Sequence, residues 1–229
     1  PTRSLYHFEL LLRLCSEPIG FMLAQEFYWY NPAKMPSPAQ YVNIERIRVK
    51  DAVNPIWWLS KTDRPKADNR KVLTPYKASM KKLFAKGYND GPRPSGHKVS
   101  KVWGRNNGGA IPPNLLLYQE NLQQLCQDNL LEIANTQSSD KYLDACKRNN
   151  VKPHPARFPI SLPTFFINFL TEPGDTIFDP FGGSCVTGEA AENLERYWVT
   201  SEIKSEFVLM SRFRFDDHTL HYTEKECAN

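Results

Sequence analysis

Asp179-Pro180-Phe181-Gly182-Gly183-Ser184 is the stretch on which the fold turns. It closes a short apolar strand, Thr176 to Asp179, and its glycine pair lets the backbone turn tightly beside a ligand before Val186 to Arg196 resumes as a helix. A second strand, Tyr197 to Ile203, returns to the same sheet edge and carries Glu202, twenty positions beyond Gly182. A carboxylate about 20 residues past the glycine turn is where doubly wound folds hold ribose hydroxyls. The segment therefore reads as strand, turn, helix and strand of an α/β protein, with an adenosine compound as its ligand.

The turn lacks the three-glycine fingerprint that lets backbone approach a pyrophosphate. A cofactor without phosphates does not need that fingerprint, and S-adenosylmethionine (SAM) has none. The same residues also read as an ordinary strand-to-helix turn, with glycines serving geometry and Glu202 a solvated strand end.

The chain has 229 residues and 26.4 kDa, 41% apolar residues and 18 prolines. That is enough to bury one sizeable core, with long irregular stretches besides. Nothing resembles a signal peptide, and apolar runs such as Phe21 to Leu23 and Ile56 to Leu59 are too short to cross a bilayer, so a cytoplasmic location is expected. Cys15, Cys126, Cys146, Cys185 and Cys227 lie far apart, without the spacing of zinc ligands. Reduced thiols and no metal are expected, with Cys185 as a small buried side chain.

Charge is uneven. Lys61 to Arg105 holds thirteen Lys or Arg against Asp63, Asp68 and Asp90, a local +10, which leaves the remainder at −6 within a formal net charge of +4. Interleaved with Tyr76, Phe84, Tyr88, His97 and Trp103, this block is a candidate polyanion-binding surface; a merely solvated basic face is the alternative.

Elsewhere Leu5, Phe8, Leu11, Leu12 and Cys15 recur at helical spacing until Pro18-Ile19-Gly20. Phe21 to Tyr30 alternates as a strand, with Phe21, Leu23, Phe27 and Trp29 on one side. Asn31 to Pro38 holds three prolines and is a stiff loop. Val42 to Lys50 alternates weakly, and Ile56-Trp57-Trp58-Leu59 suits a second buried strand with both tryptophans in the core. From Lys61 to about Asn150 the pattern is irregular, and a helix is expected from about Leu162 to Thr171. A long irregular insert in an α/β protein usually has a function of its own.

Five segments together carry a resemblance. Tyr28-Trp29-Tyr30-Asn31-Pro32-Ala33-Lys34-Met35-Pro36-Ser37-Pro38, Arg46 to Val53, Gly108-Gly109-Ala110-Ile111-Pro112-Pro113-Asn114, His154-Pro155-Ala156-Arg157-Phe158-Pro159 and Phe178 to Ser184 resemble the PvuII-type site-specific DNA (cytosine-N4)-methyltransferases of restriction-modification systems. The resemblance covers nearly the whole chain. It implies a Rossmann-like SAM-dependent methyltransferase sheet of the permuted (beta) class, in which the catalytic half precedes the target-recognition region and the SAM half follows it. Residues 1–61 would be the remainder of the catalytic half, 62–150 an irregular target-recognition insert binding double-stranded DNA, and 151–229 the SAM-binding half.

Carried over by residue, the resemblance makes Asp179, Phe181, Gly182, Gly183 and Ser184 the SAM turn, with Phe181 lining the adenine pocket. Glu202 becomes the ribose ligand, and Arg157, Phe158 and Pro159 flank the methionine end. Arg93, Ser95, His97, Lys98 and Arg105 become candidates for base or phosphate contacts, arginine being the residue that reads guanine bidentately. Lys34, on the Asn31 to Pro38 loop that resembles the segment near the flipped target base, joins them as a DNA contact together with Tyr30, and Tyr28, Trp29 and Tyr30 are the stacking groups; core packing explains each aromatic equally well.

The family's catalytic tetrapeptide, Ser-Pro-Pro followed by Tyr or Phe, is not in the sequence. The expectation is therefore a chain corresponding to the C-terminal two-thirds of such an enzyme, with no catalytic residue assigned and an upstream polypeptide as a partner. The rival readings are adenine-N6 methylation and a non-catalytic DNA-binding remnant or subunit of a split enzyme.

Overall fold

The structure is a computed structural model that describes residues 2–31, 34–87, 105–117, 131–132 and 141–215. It divides into two compact units, Pro1–Ile133 and Ala134–Asn229. Each is built on its own sheet.

In the first unit, helix α1 (Tyr6–Cys15) forms where the helical spacing of apolar residues predicts it. It stops at Ser16, whose hydroxyl donates to the Leu12 carbonyl at 2.7 Å. Strands β1 (Met22–Tyr30) and β2 (Val53–Ser60) pair antiparallel from Met22 opposite Ser60 to Tyr30 opposite Val53. A bulge between Leu23 and Gln25 breaks the alternation expected along β1. Phe27 is therefore core while Leu23 is exposed, because an extra residue puts the two stretches of strand out of phase.

Of the weakly alternating stretch Val42 to Lys50, Val42 to Ile44 belong to a π-helix, Gln40–Ile44, and the rest forms no strand. Trp57 and Trp58 lie on β2 and are half-buried, the Trp57 indole donating to Glu26.

The segment expected to be irregular contains regular structure. Helix α2 (Ala78–Lys86) is steadied by an edge-on contact of Tyr76 and Phe84 at 4.9 Å. Strand β3 (Leu115–Leu117) pairs parallel with β1, and β4 (Leu131–Glu132) pairs parallel with β3, giving the order β2-β1-β3-β4. Leu116 is fully buried. Reciprocal backbone bonds between Thr74 and Ala110 tie the α2 segment to the approach to β3. Gly109 permits this contact, since a Cβ there would lie 2.8 Å from the Thr74 carbonyl oxygen.

The second unit begins with α3 (Lys141–Arg148), which buries Tyr142, Ala145 and Cys146 at one-turn spacing. Next come α4 (Ser161–Leu170), β5 (Thr176–Asp179), α5 (Val186–Asn193), β6 (Tyr197–Thr200) and α6 (Ser205–Ser211). Strands β5 and β6 are parallel, Thr176 opposite Tyr197 through Asp179 opposite Thr200.

Ile167, Ala190 and Ala191 form a core with Ile160, Ile177, Leu194 and Trp198 against it. The small residues of α5 allow the close approach: a Cβ on Gly188 would stand 2.9 Å from the Trp198 ring. The other face of this ribbon is open, with Phe178 63%, Tyr197 72% and Val199 55% exposed.

Helix α5 stops short of the expected Arg196, where Glu195 takes a left-handed φ of 61° and the Arg196 amide returns to the Ala191 carbonyl. Strand β6 ends at Thr200, three residues early, because Glu202 is drawn to the glycine turn. No described helix is long and apolar enough to cross a membrane.

Candidate functional site

Side chain and backbone both lock the turn after β5. Asp179 Oδ1 accepts the Phe181 amide at 3.0 Å, and the Asp179 carbonyl accepts the Ser201 amide and the Thr200 hydroxyl at 3.0 and 2.9 Å. The Gly182 amide donates to the Ser201 carbonyl at 2.8 Å, and the Ser201 hydroxyl to the Pro180 carbonyl at 2.9 Å. The end of β6 is thereby stitched along the whole turn.

Glu202 completes the arrangement. Its Oε2 accepts the Gly183 amide at 2.9 Å and its Oε1 the Lys204 amide at 3.0 Å. It is thus held against the glycine turn, unlike a solvated strand end. Each carboxylate oxygen carries two lone pairs, so acceptor capacity remains for a diol.

Both glycines are required. A Cβ on Gly182 would stand 2.0 Å from Thr200 Oγ1, and Gly183 adopts a φ of +51° with the His154 ring 3.2 Å from where its Cβ would be. Cys185 follows in the left-handed region, φ 57° and ψ 40°, with its amide on the Gly182 carbonyl at 2.6 Å.

Burial pushes the Cys185 thiol up to about 12, so it stays protonated and un-nucleophilic near neutrality. Iodoacetamide at about pH 8 is expected to leave Cys185 unmodified in the native chain and to alkylate it in denaturant. Peptide mapping that finds native Cys185 alkylated would contradict its burial.

The His154 to Pro159 segment meets the same turn. The His154 amide donates to the Tyr142 hydroxyl at 3.0 Å, its ring Nδ1 lies 2.7 Å from the Ala156 carbonyl, and its ring meets Phe207 edge-on at 4.4 Å. Arg157 donates to the His154 carbonyl at 3.1 Å and is exposed, as is Phe158. The Pro159 carbonyl accepts the Leu162 amide at the start of α4. Phe181 and Ile203 belong to the two loops joined by the Gly183–Glu202 bond and are 86% and 95% exposed.

Reading the sequence missed Ile203, Thr200, Tyr142 and Arg214. Arg214 is buried, donates to the Ser184 carbonyl at 2.5 Å and pairs with Glu189 at 2.6 Å. The polar residues Thr200 and Ser201 beside Glu202 were a usable signal for partners of the turn; Arg214 had none.

In the first unit, Tyr30 ends β1 and is half-buried, and Lys34 Nζ donates to Asn54 Oδ1 at 2.8 Å. Tyr28 is exposed beside Glu26, whose charge raises its phenol above the usual range. The Trp29 indole nitrogen is buried without a hydrogen-bond partner among the described residues. Arg105, Lys81, Lys82 and Lys86 are exposed. Arg93, Ser95, His97 and Lys98 lie outside the described residues. No group of three or more described His, Cys, Asp or Glu could hold a metal.

Residues 4–212 match the family described as DNA methylase. The chain belongs to the DNA methylase family. The chain is 49% identical over 223 residues to the type II methyltransferase M.PvuII of Proteus hauseri, a match covering 96% of the chain and 62% of that protein. It is 37% identical over 75 residues to the DNA adenine methyltransferase YhdJ of Escherichia coli (strain K12), covering 33% of the chain and 25% of YhdJ.

Among solved structures, the PvuII DNA methyltransferase (cytosine-N4-specific) superposes with a TM-score of 0.68 and 42% identity, over 96% of this chain and 60% of that one. The chain thus has the methyltransferase α/β fold and spans about three-fifths of the length of M.PvuII and of the solved PvuII enzyme.

Proposed function

We propose that this chain carries the cofactor-binding and DNA-recognition parts of a SAM-dependent methyltransferase acting on the exocyclic N4 of cytosine in a restriction-modification system. The single observation carrying the cofactor reading is the use of the turn's amides. Those of Phe181, Gly182, Gly183 and Cys185 are all spent inside the protein, on Asp179, Ser201, Glu202 and Gly182. A phosphate cradle needs such amides free, whereas an adenosine compound without phosphates needs an acceptor for its ribose and an apolar surface for its base. Glu202 is that acceptor, and the exposed Phe181 and Ile203 are that surface. Arg157, Phe158 and Pro159 would flank the methionine end, the arginine offering a charge to its carboxylate.

SAM supplies an electrophilic methyl group; the chain's own task is to bind, orient and exclude water. Holding the two reactants in line supplies much of the acceleration, and no protein nucleophile is required. That agrees with the protonated thiol of Cys185. The cytosine target is supported by the likeness to the solved PvuII DNA methyltransferase (cytosine-N4-specific) over nearly the whole chain. Adenine-N6 methylation is the second reading, favoured by the shorter match to YhdJ.

The proposed division assigns residues 1–61 to the catalytic half, 62–150 to target recognition and 151–229 to SAM. Strands β3 and β4 would anchor the recognition segment, while α3 serves the cofactor unit through the Tyr142 hydroxyl. Tyr30, Lys34 and Arg105, with Arg93, Ser95, His97 and Lys98, would contact double-stranded DNA in the cytoplasm.

Replacing Lys81, Lys82 and Lys86 of α2 together with Gln is expected to flatten the dependence of log K for DNA on log salt, by up to about 0.9 for each phosphate that is no longer neutralised. An unaltered slope would place these exposed lysines away from DNA.

The sequence holds no Ser-Pro-Pro-Tyr or Ser-Pro-Pro-Phe. We therefore assign the catalytic tetrapeptide to further polypeptide of the same methyltransferase. The test is methyl transfer from labelled SAM to mixed-sequence DNA, by the chain alone and with that polypeptide supplied, the product nucleoside being identified by mass spectrometry. N4-methylcytosine only with the added polypeptide is expected. N6-methyladenine would establish the second reading; DNA binding without transfer under either condition would leave a non-catalytic DNA-binding protein.

A further inference from the structure

Arg214 lies in the short 3-10 helix Arg212–Arg214 that follows α6, and only 3% of its side chain is exposed. Nε donates to the Ser184 carbonyl at 2.5 Å, one terminal nitrogen to the Ser184 hydroxyl at 3.3 Å, and the other to the Glu189 carboxylate at 2.6 Å. The guanidinium lies 4.5 Å from the centre of the Tyr142 ring. Tyr142 in turn receives the His154 amide, and the His154 ring limits the space at Gly183.

Burying a guanidinium carries a large desolvation penalty, and an apolar group of like volume often stabilises a fold equally well. Core stability alone therefore does not account for this arginine. Its neighbours suggest another role. Cys185 is held in the left-handed region, which is unfavourable for a non-glycine residue and persists only where surroundings enforce it. The Ser184 carbonyl belongs to the peptide bond leading into Cys185. Arg214 grips that peptide on one side of the turn while Glu202 grips the Gly183 amide on the other.

We infer that Arg214 is a positioning residue for the cofactor turn: without touching the ligand, it fixes the Ser184–Cys185 peptide so that Gly182 to Ser184 is preformed for binding. The inference rests on the SAM site proposed above. A preformed loop binds more tightly because less ordering is left to the ligand.

The experiment compares wild type, Arg214→Lys, Arg214→Met, Ser184→Ala and the Arg214→Met/Ser184→Ala pair, all in the full chain. Amide hydrogen exchange of the ligand-free protein is read alongside calorimetric affinity for SAM. Arg214→Met is expected to speed exchange across Gly182 to Val186, with α4 and β6 still protected, and to weaken SAM about tenfold or more. Arg214→Lys should recover part of both effects, since an ammonium can still donate to the Ser184 carbonyl. Ser184→Ala should weaken SAM in the wild-type background and add little to Arg214→Met.

Unchanged exchange at the turn in Arg214→Met would overturn the inference, and so would exchange raised evenly through the unit or fully multiplicative effects of the pair. A wild-type chain that does not bind SAM would remove the cofactor reading, while exchange would still decide whether Arg214 holds the turn.

Discussion

Replacing Glu202 with alanine is expected to weaken SAM binding by about 1 to 3 kcal/mol, the range for losing hydrogen bonds to a charged acceptor. Two losses combine in that figure. The ribose hydroxyls would lose the acceptor proposed for them, and the Gly183 and Lys204 amides lose the carboxylate that now receives them at 2.9 and 3.0 Å. Glu202→Gln separates the two, because its carbonyl oxygen can keep one amide while the negative charge is gone. Its affinity should fall between wild type and Glu202→Ala. Calorimetry showing Glu202→Ala with wild-type affinity would remove the ribose role.

Gly182→Ala should be as damaging, for a steric reason. The new methyl would stand 2.0 Å from Thr200 Oγ1 and 3.2 Å from its Cβ, so something has to move. Thr200 is β-branched and has few rotamers, and its hydroxyl is already bonded to the Asp179 carbonyl at 2.9 Å. The strain falls on the junction of β5 and β6. Overpacking of this kind costs about 1 to 3 kcal/mol, and a displaced turn should lower SAM affinity about tenfold or more.

Thr200→Ala removes both Oγ1 and the methyl, so the Gly182→Ala/Thr200→Ala pair should bind SAM more tightly than Gly182→Ala alone. A pair no better than the single variant would mean that the collision with Thr200 is not what the turn suffers from.

What could be read in the sequence was local. The β5 strand, the glycine pair, α5 and Glu202 lie within about 27 consecutive residues, and the apolar periods of α1, β1 and α4 are clear on their own. Structure that depends on distant partners was not legible. Leu115–Leu117 becomes a strand by lying parallel to β1, from which it is separated by the whole basic segment. Nothing within its three leucines distinguishes strand from loop.

The bulge at Leu23 and Gln25 leaves no mark in composition. Helices α2 and α3 are short and rich in lysine, so their apolar positions, such as Phe84 and the Tyr142, Ala145 and Cys146 set, are thinly spaced among charges. The same reasoning separates Glu202 from Arg214. Glu202 sits at a position whose spacing from the turn carries meaning, whereas Arg214 reaches residues 25 and 30 positions away from a 3-10 turn with no motif.

The placement of the cofactor at the Gly182–Gly183 turn is tested most directly by nuclear magnetic resonance of the chain labelled with nitrogen-15 in its glycines. The chain holds 11 glycines, so the spectrum is sparse enough to assign by substitution. Titration with SAM should shift the Gly182 and Gly183 amides most, since both belong to the network that would receive the ligand. Gly20, Gly87, Gly108 and Gly109 of the first unit should not report the turn. Saturable shifts confined to those glycines, with Gly182 and Gly183 unmoved, would contradict the cofactor site.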